Sequence, residues 1–312
     1  MLKKVRDFLL ELLFSPSGTS LLVFAIMLLL SVFNLINTTL LLSSNWLMLI
    51  SIPISFGAPL FIFWLSRGGK KYIPTLNLEL PKRVHLPSIL LATLLLISGS
   101  TLLKFLFIEG KYTELSLYGT FFAHRNGSIL NDIYLVLAFC LVPPVIEGLV
   151  FRGALITETD RRGRLSATVF SSVLYALLGF SLEELPQRLF MSALLCIVLY
   201  ATSSIATTVA IHIVYNFYAV FFEPTLISLK NVSANYELFA FLLAIFTLAV
   251  AFLLFSHLSR LYRKYSHDRF GESFVRSTPR ERTLWHLVEL LLSIPSLACY
   301  VIFIIVTSIL RL

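Results

Sequence analysis

The stretch PPVIEGLVFRGAL, residues 143–155, lies inside a long apolar run, yet it carries two charged residues, Glu147 and Arg152. Charges among apolar side chains are expensive unless paired or solvated. What they mean depends on the chain around them. Of 312 residues, 57% are hydrophobic and 13% charged, and the mean hydropathy is +0.87. Water-soluble domains carry about 25% charged residues. Residues 15–66, 189–222, 238–259 and 290–310 contain no Asp, Glu, Lys or Arg. Apolar runs of ~18 or more residues read as membrane-spanning helices, and no segment alternates as the strands of a membrane barrel do. The expected fold is all-α, a polytopic membrane helical bundle of about eight or nine transmembrane helices.

Nine spans are expected, near 18–40, 46–66, 86–108, 129–157, 165–181, 188–202, 204–224, 236–257 and 287–310. The sixth and seventh divide one charge-free run of 34 residues, about 51 Å of helix against a ~30 Å hydrocarbon core. Ser203-Ser204 is the natural break. The N-terminus, MLKKVRDFLLELLFSPSG, begins like a signal peptide, but Glu11 interrupts its short apolar part and no small-x-small cleavage site follows. It reads as an interfacial helix. Three regions are expected: N-terminal spans over 1–85, a central membrane domain over 86–226, and C-terminal spans with a basic cytoplasmic loop over 227–312.

The net charge of +8 is explained by topology. Eighteen of the 25 Lys and Arg residues lie in the N-terminus and in the 67–83, 158–164 and 258–283 loops, all on one side of the membrane. The positive-inside rule makes that side cytoplasmic, with the N-terminus inside. These charges meet anionic headgroups, so the expected partner is the lipid bilayer and not nucleic acid. The plasma (inner) membrane is the expected location. Cys140, Cys196 and Cys299 fall in apolar segments without metal-type spacing and read as buried free thiols.

An ionisable residue inside a span is a functional hypothesis by default. Glu147 and Arg152 qualify in the fourth span, and His212 in the seventh. Asn216 follows His212 by four residues and shares its helix face. Counted from the inner span ends, Glu147 lies ~15 Å deep and His212 ~12 Å deep, so the two are expected at one level, facing a cavity open to the cytoplasm. A carboxylate there can activate a water, and His212 and Asn216 can hydrogen-bond a developing oxyanion. The structural alternatives are a Glu-Arg ion pair, interhelical hydrogen bonding, and a Pro143-Pro144 kink that serves packing alone.

These residues resemble the CPBP intramembrane proteases, which include the type II CAAX prenyl endopeptidases and bacteriocin-processing or self-immunity proteins. The first family signature is Glu-Glu-x-x-x-Arg, often closed by Phe-Arg-Gly and preceded by proline. Here it reads Glu147, Gly148, then Phe151-Arg152-Gly153. A later signature, His-x-x-x-Asn/Asp, is matched by His212 and Asn216. The resemblance covers about residues 130–222 and departs from the family in two places. Gly148 stands where the second glutamate is usual. The intervening Phe-x-x-x-His signature aligns with Tyr175 and Gly179, so its histidine is absent. Glu183 follows in what reads as a loop.

The resemblance implies an intramembrane endopeptidase in which Glu147 is the general base and His212 and Asn216 are oxyanion donors. Arg152 would orient Glu147 or a helix end, and the substrate would be a prenylated or other membrane-bound peptide or protein. The alternative is an inactive family member acting as a membrane scaffold or immunity-type protein. The family name implies a metal, but catalytic zinc takes three protein ligands. Glu147 and His212 are too few, so no cofactor is expected.

Overall fold

The computed structural model describes residues 16–40, 45–67, 80–107, 121–122, 125–160, 163–232, 235–270 and 280–310. Among them every regular element is helical: α1 (Pro16–Leu40), α2 (Asn45–Ser66), α3 (Leu86–Phe107), α4 (Ile129–Thr159), α5 (Arg164–Leu177), α6 (Leu185–Thr202), α7 (Ile205–Phe221), α8 (Glu223–Val232), α9 (Tyr236–Phe270), α10 (Arg280–Leu291) and α11 (Ile294–Leu310). The all-α membrane reading holds. The N-terminal segment read as an interfacial helix lies largely outside the described residues, as does most of the 67–83 loop.

Each expected span has a helical counterpart. Four described helices are long and apolar enough to cross a bilayer: Arg83–Phe107, Ile129–Thr159, Leu185–Thr202 and Tyr236–Arg263. A fifth crossing, at the span expected near 287–310, arises if α10 and α11 form one span, and the chain bends by 56° between them. Shorter apolar stretches lie in α1 (Ser20–Phe33), α2 (Pro53–Ser66), α5 and α7. The break between α6 and α7 falls where the length argument put it. Ser203 takes a left-handed φ of 52°, and the Ser204 hydroxyl caps α7 by accepting from the Thr207 N–H at 3.2 Å. Past it, α9 runs on as helix into what read as the polar 258–283 loop. The three cysteines are free and buried.

The chain divides into two compact units, one of residues 1–78, 146–185 and 275–312, the other of 79–145 and 186–274. In the first, α1 packs against α2 and α11, and α5 packs against α10, α11 and the last third of α4. Hydroxyls join α1 to the α10–α11 bend, where Ser296 Oγ lies 3.1 Å from Ser20 Oγ and 2.8 Å from Ser293 Oγ. Arg67, below α2, pairs with Glu158 at 2.7 Å. In the second unit, α3 is the central post, contacted by α7, α8 and α9. Gly99 lets α6 approach it closely: a Cβ there would sit 2.7 Å from the Phe190 ring. The outer face of α9 exposes Phe241, Leu242, Leu248 and Phe252, an apolar surface suited to lipid.

Candidate functional site

The stretch 143–155 lies in α4, which departs twice from α-helical geometry. Residues Leu137–Leu141 and Gly148–Leu155 are π-helical, around an α-helical turn, Val142–Glu147. The cause of the first widening is the proline pair. A helical proline lacks an N–H, and its ring collides with the carbonyl four residues back. For Pro143 and Pro144 those carbonyls belong to Phe139 and Cys140. The helix opens ahead of them, and the Val142 N–H bonds back to the Leu137 carbonyl, an i→i+5 bond of the π type.

The Phe139 carbonyl then has a difficulty that no neighbouring register solves. In α geometry its donor would be the N–H of residue 143, and in π geometry that of residue 144. Both residues are proline. Asn216 supplies the missing donor from α7, with Nδ2 donating to the Phe139 oxygen at 3.0 Å. Asn216 is 4% exposed and Phe139 6%. Part of the Asn216 amide, expected to face an oxyanion, therefore holds α7 to α4. One N–H and the side-chain oxygen remain. His212, one turn earlier on the same face of α7, is 3% exposed.

Glu147, Arg152 and the aligned Tyr175 belong to the first unit, His212 and Asn216 to the second. Glu147 is half-buried and ends the α-helical turn, so the second π stretch starts directly after it. Across an α-helix, residues five apart point well away from each other. The π register closes a turn between i and i+5, which brings Glu147 and Arg152 round onto one face. Arg152 is 2% exposed. Its guanidinium lies 4.8 Å over the Tyr175 ring, a cation–π contact. None of its three nitrogens has a hydrogen-bond partner among the described residues. Tyr175 also meets Phe151 edge-on at 5.2 Å, and the Ser171 hydroxyl donates to the Phe151 carbonyl at 3.2 Å. The aromatic of the second signature thus serves as the floor beneath Arg152. Helix α5 ends at Leu177, which leaves Gly179 in the following turn and Glu183 in a turn beyond it.

Sequence reasoning missed a second buried polar group. Lys104 on α3 and Glu223 at the start of α8 form an ion pair of 2.7 Å, with side chains 6% and 1% exposed. Around it, Ser100 Oγ lies 2.7 Å from the Tyr215 hydroxyl and 3.4 Å from Glu223 Oε1. Gln187 donates to Tyr215, and the Thr101 and Tyr218 hydroxyls share a hydrogen bond. Lys104 and Glu223 both fall inside expected spans, so the rule that singled out Glu147 would have found them.

The chemistry of the donors bears on the metal the family name implies. Among the described residues no group of three or more His, Cys, Asp and Glu side chains could hold an ion. These residues do not fit a catalytic zinc, and no step of the mechanism passes through one.

A comparison with family models matches residues 129–218 to the type II CAAX prenyl endopeptidase Rce1-like family, a family of proteases. No curated protein matches, and no solved structure matches.

Proposed function

We propose that this chain, a CPBP family member through its Rce1-like domain at residues 129–218, is an intramembrane endopeptidase that cleaves membrane-associated or prenylated peptides with a water activated by Glu147. The observation that supports this most is the setting of Glu147: a half-buried carboxylate in an apolar span, at the junction of an α-helical turn and a π stretch. Short π segments inside α-helices are frequent at functional sites.

In this mechanism the Glu147 carboxylate takes a proton from water as the water oxygen attacks the scissile carbonyl carbon. The carbonyl π pair becomes an oxyanion, stabilised by N–H donors of His212 and Asn216. Asn216 brings the amide hydrogen not given to Phe139. When the tetrahedral intermediate collapses, the C–N bond breaks and the proton held by Glu147 passes to the leaving amine. The family's usual histidine partner for the glutamate is absent at Gly179, so Glu147 works alone as base. The protein would act from the plasma (inner) membrane with its N-terminus cytoplasmic, as the basic loops favour.

Gly179 favours a second reading. A chain lacking that histidine can keep the membrane fold without the chemistry and act as a scaffold or immunity-type protein. Incubating the purified protein with prenylated and membrane-peptide libraries separates the two. The protease reading expects cleavage that disappears in Glu147→Gln and in His212→Ala. No cleavage by the natural chain, with cleavage appearing in Gly179→His, would identify a decayed protease.

A further inference from the structure

Helix α7 carries His212 and Asn216 on one face, and a chain of hydrogen bonds runs along the flank beside them. Tyr215 lies ~60° around the helix from His212, and Tyr218 ~120° from it in the same sense. Both rings are buried. Tyr218 shares a hydrogen bond with Thr101 of α3. Tyr215 accepts from the Gln187 amide of α6 and lies 2.7 Å from Ser100 Oγ of α3. The protons can be followed. Gln187 donates to the Tyr215 oxygen, Tyr215 donates to Ser100, and Ser100 donates to Glu223 Oε1 at 3.4 Å. Lys104 closes the series by donating to Glu223 Oε2 at 2.7 Å. In this direction both hydroxyl protons of the chain find an acceptor, and the last acceptor is a carboxylate, which only accepts. All of these residues share one compact unit with His212 and Asn216.

Such a chain is a poor device for stability alone. Burying a charged pair costs desolvation, and well-packed apolar side chains of similar volume often serve as well. What hydrogen bonds add is direction. On the other flank of His212, Asn216 donates to the Phe139 carbonyl of α4, so the rotation of α7 is fixed from two sides. The tolerance there is small. A side-chain tip ~6 Å from the helix axis moves ~1 Å when the helix turns by ~10°, and a misplacement of ~1 Å costs about 10²-fold in rate. We infer that Tyr215, anchored through Ser100 to the Lys104–Glu223 pair, is a positioning residue: it sets the rotation of α7 and thereby the direction of the His212 and Asn216 N–H donors. This rests on the protease reading, in which those donors meet the oxyanion, and extends it to a buried charge pair outside both signatures.

The test uses the full chain in detergent with three variants. Ser100→Ala cuts the chain between Tyr215 and Glu223, and Tyr215→Phe removes the hydroxyl but keeps the ring. Lys104→Met with Glu223→Leu replaces the charges by apolar side chains. Cleavage of a quenched fluorescent farnesylated peptide is measured well below each melting temperature. Every variant is expected to lose about tenfold or more in kcat with KM within about twofold, the apolar pair included although it stays folded. Ser100→Ala and Tyr215→Phe interrupt the same chain, so together they are expected to lose no more than either alone. An apolar pair with unchanged kcat overturns the inference, as do losses that multiply in the combined variant. If the apolar pair fails to fold, the two hydroxyl variants and their combination still decide. A second readout needs no turnover. With isotope-labelled histidine, the His212 ring signal is identified by its loss in His212→Ala. It is expected to shift in Ser100→Ala, a change made on another helix. An unmoved signal overturns the inference whether or not the chain cleaves. A natural chain that cleaves nothing, with a His212 signal that does move, sinks the protease reading and leaves the positioning of His212 standing.

Discussion

Replacing Asn216 with alanine removes the donor that satisfies the Phe139 carbonyl. That carbonyl is buried, and neither Pro143 nor Pro144 can take over, so it is left without a partner. A buried acceptor in that condition costs about 1–3 kcal/mol. Taking ~2 kcal/mol, and ~2–4 °C per kcal/mol for a chain of a few hundred residues, the melting temperature should fall by roughly 4–8 °C. The buried thiols of Cys140, Cys196 and Cys299 provide the assay, because a thiol-reactive dye reports their exposure during heating in detergent. The decisive comparison is a double-mutant cycle. Pro143→Ala returns an N–H at the α-helical position for Phe139, so adding Asn216→Ala to it should cost less than ~0.5 kcal/mol. An equal cost in both backgrounds would refute the argument that the prolines create the need Asn216 meets. No loss from Asn216→Ala alone would refute the hydrogen bond itself.

Three further outcomes are expected in the same melting assay. Glu223→Gln leaves Lys104 buried without its counter-charge and should cost about 3–5 kcal/mol, whereas the double change Lys104→Met with Glu223→Leu should be far milder. Tyr175→Leu removes the ring under Arg152 and should cost ~2 kcal/mol or more, while Tyr175→Phe keeps most of the stability. Gly99→Ala drives a Cβ to 2.7 Å from the Phe190 ring and should cost ~1–3 kcal/mol, with Phe190→Leu in the same chain recovering most of it.

The membrane class and the helix positions were readable because charge-free runs of this length suit a bilayer and exceed what a soluble core can bury. The Ser203-Ser204 break was readable from length alone. The 56° bend between α10 and α11 had a local mark as well, Pro295 in the first turn of α11, a position that suits a helix start and not a helix interior, but the span count alone passed over it. Within the site, the sequence marked Glu147, Arg152, His212 and Asn216 as the polar residues of two spans. It also flagged the prolines as a disturbance. It could not say where the disturbed carbonyl would find its donor, because Asn216 lies 77 positions away and the match exists only once α7 packs on α4. The partner of Arg152 was hidden for the same reason. Tyr175 looked like half of an incomplete signature, and only the packing of α5 against α4 makes it a floor.

The two π stretches of α4 have a consequence in residue count. A π segment is a helix holding one residue more than its α-helical path requires. Removing one position within 137–141 takes away that surplus, so the region can settle as α-helix while Glu147 and Arg152 keep their direction. The same deletion within 148–151 leaves the two residues four apart in α-helical geometry, again on one face. One added residue meets no surplus to cancel and would turn everything after it by ~100°. The direction in which the candidate base points thus tolerates a shorter α4 and not a longer one, and single-residue length changes of opposite sign would separate the two.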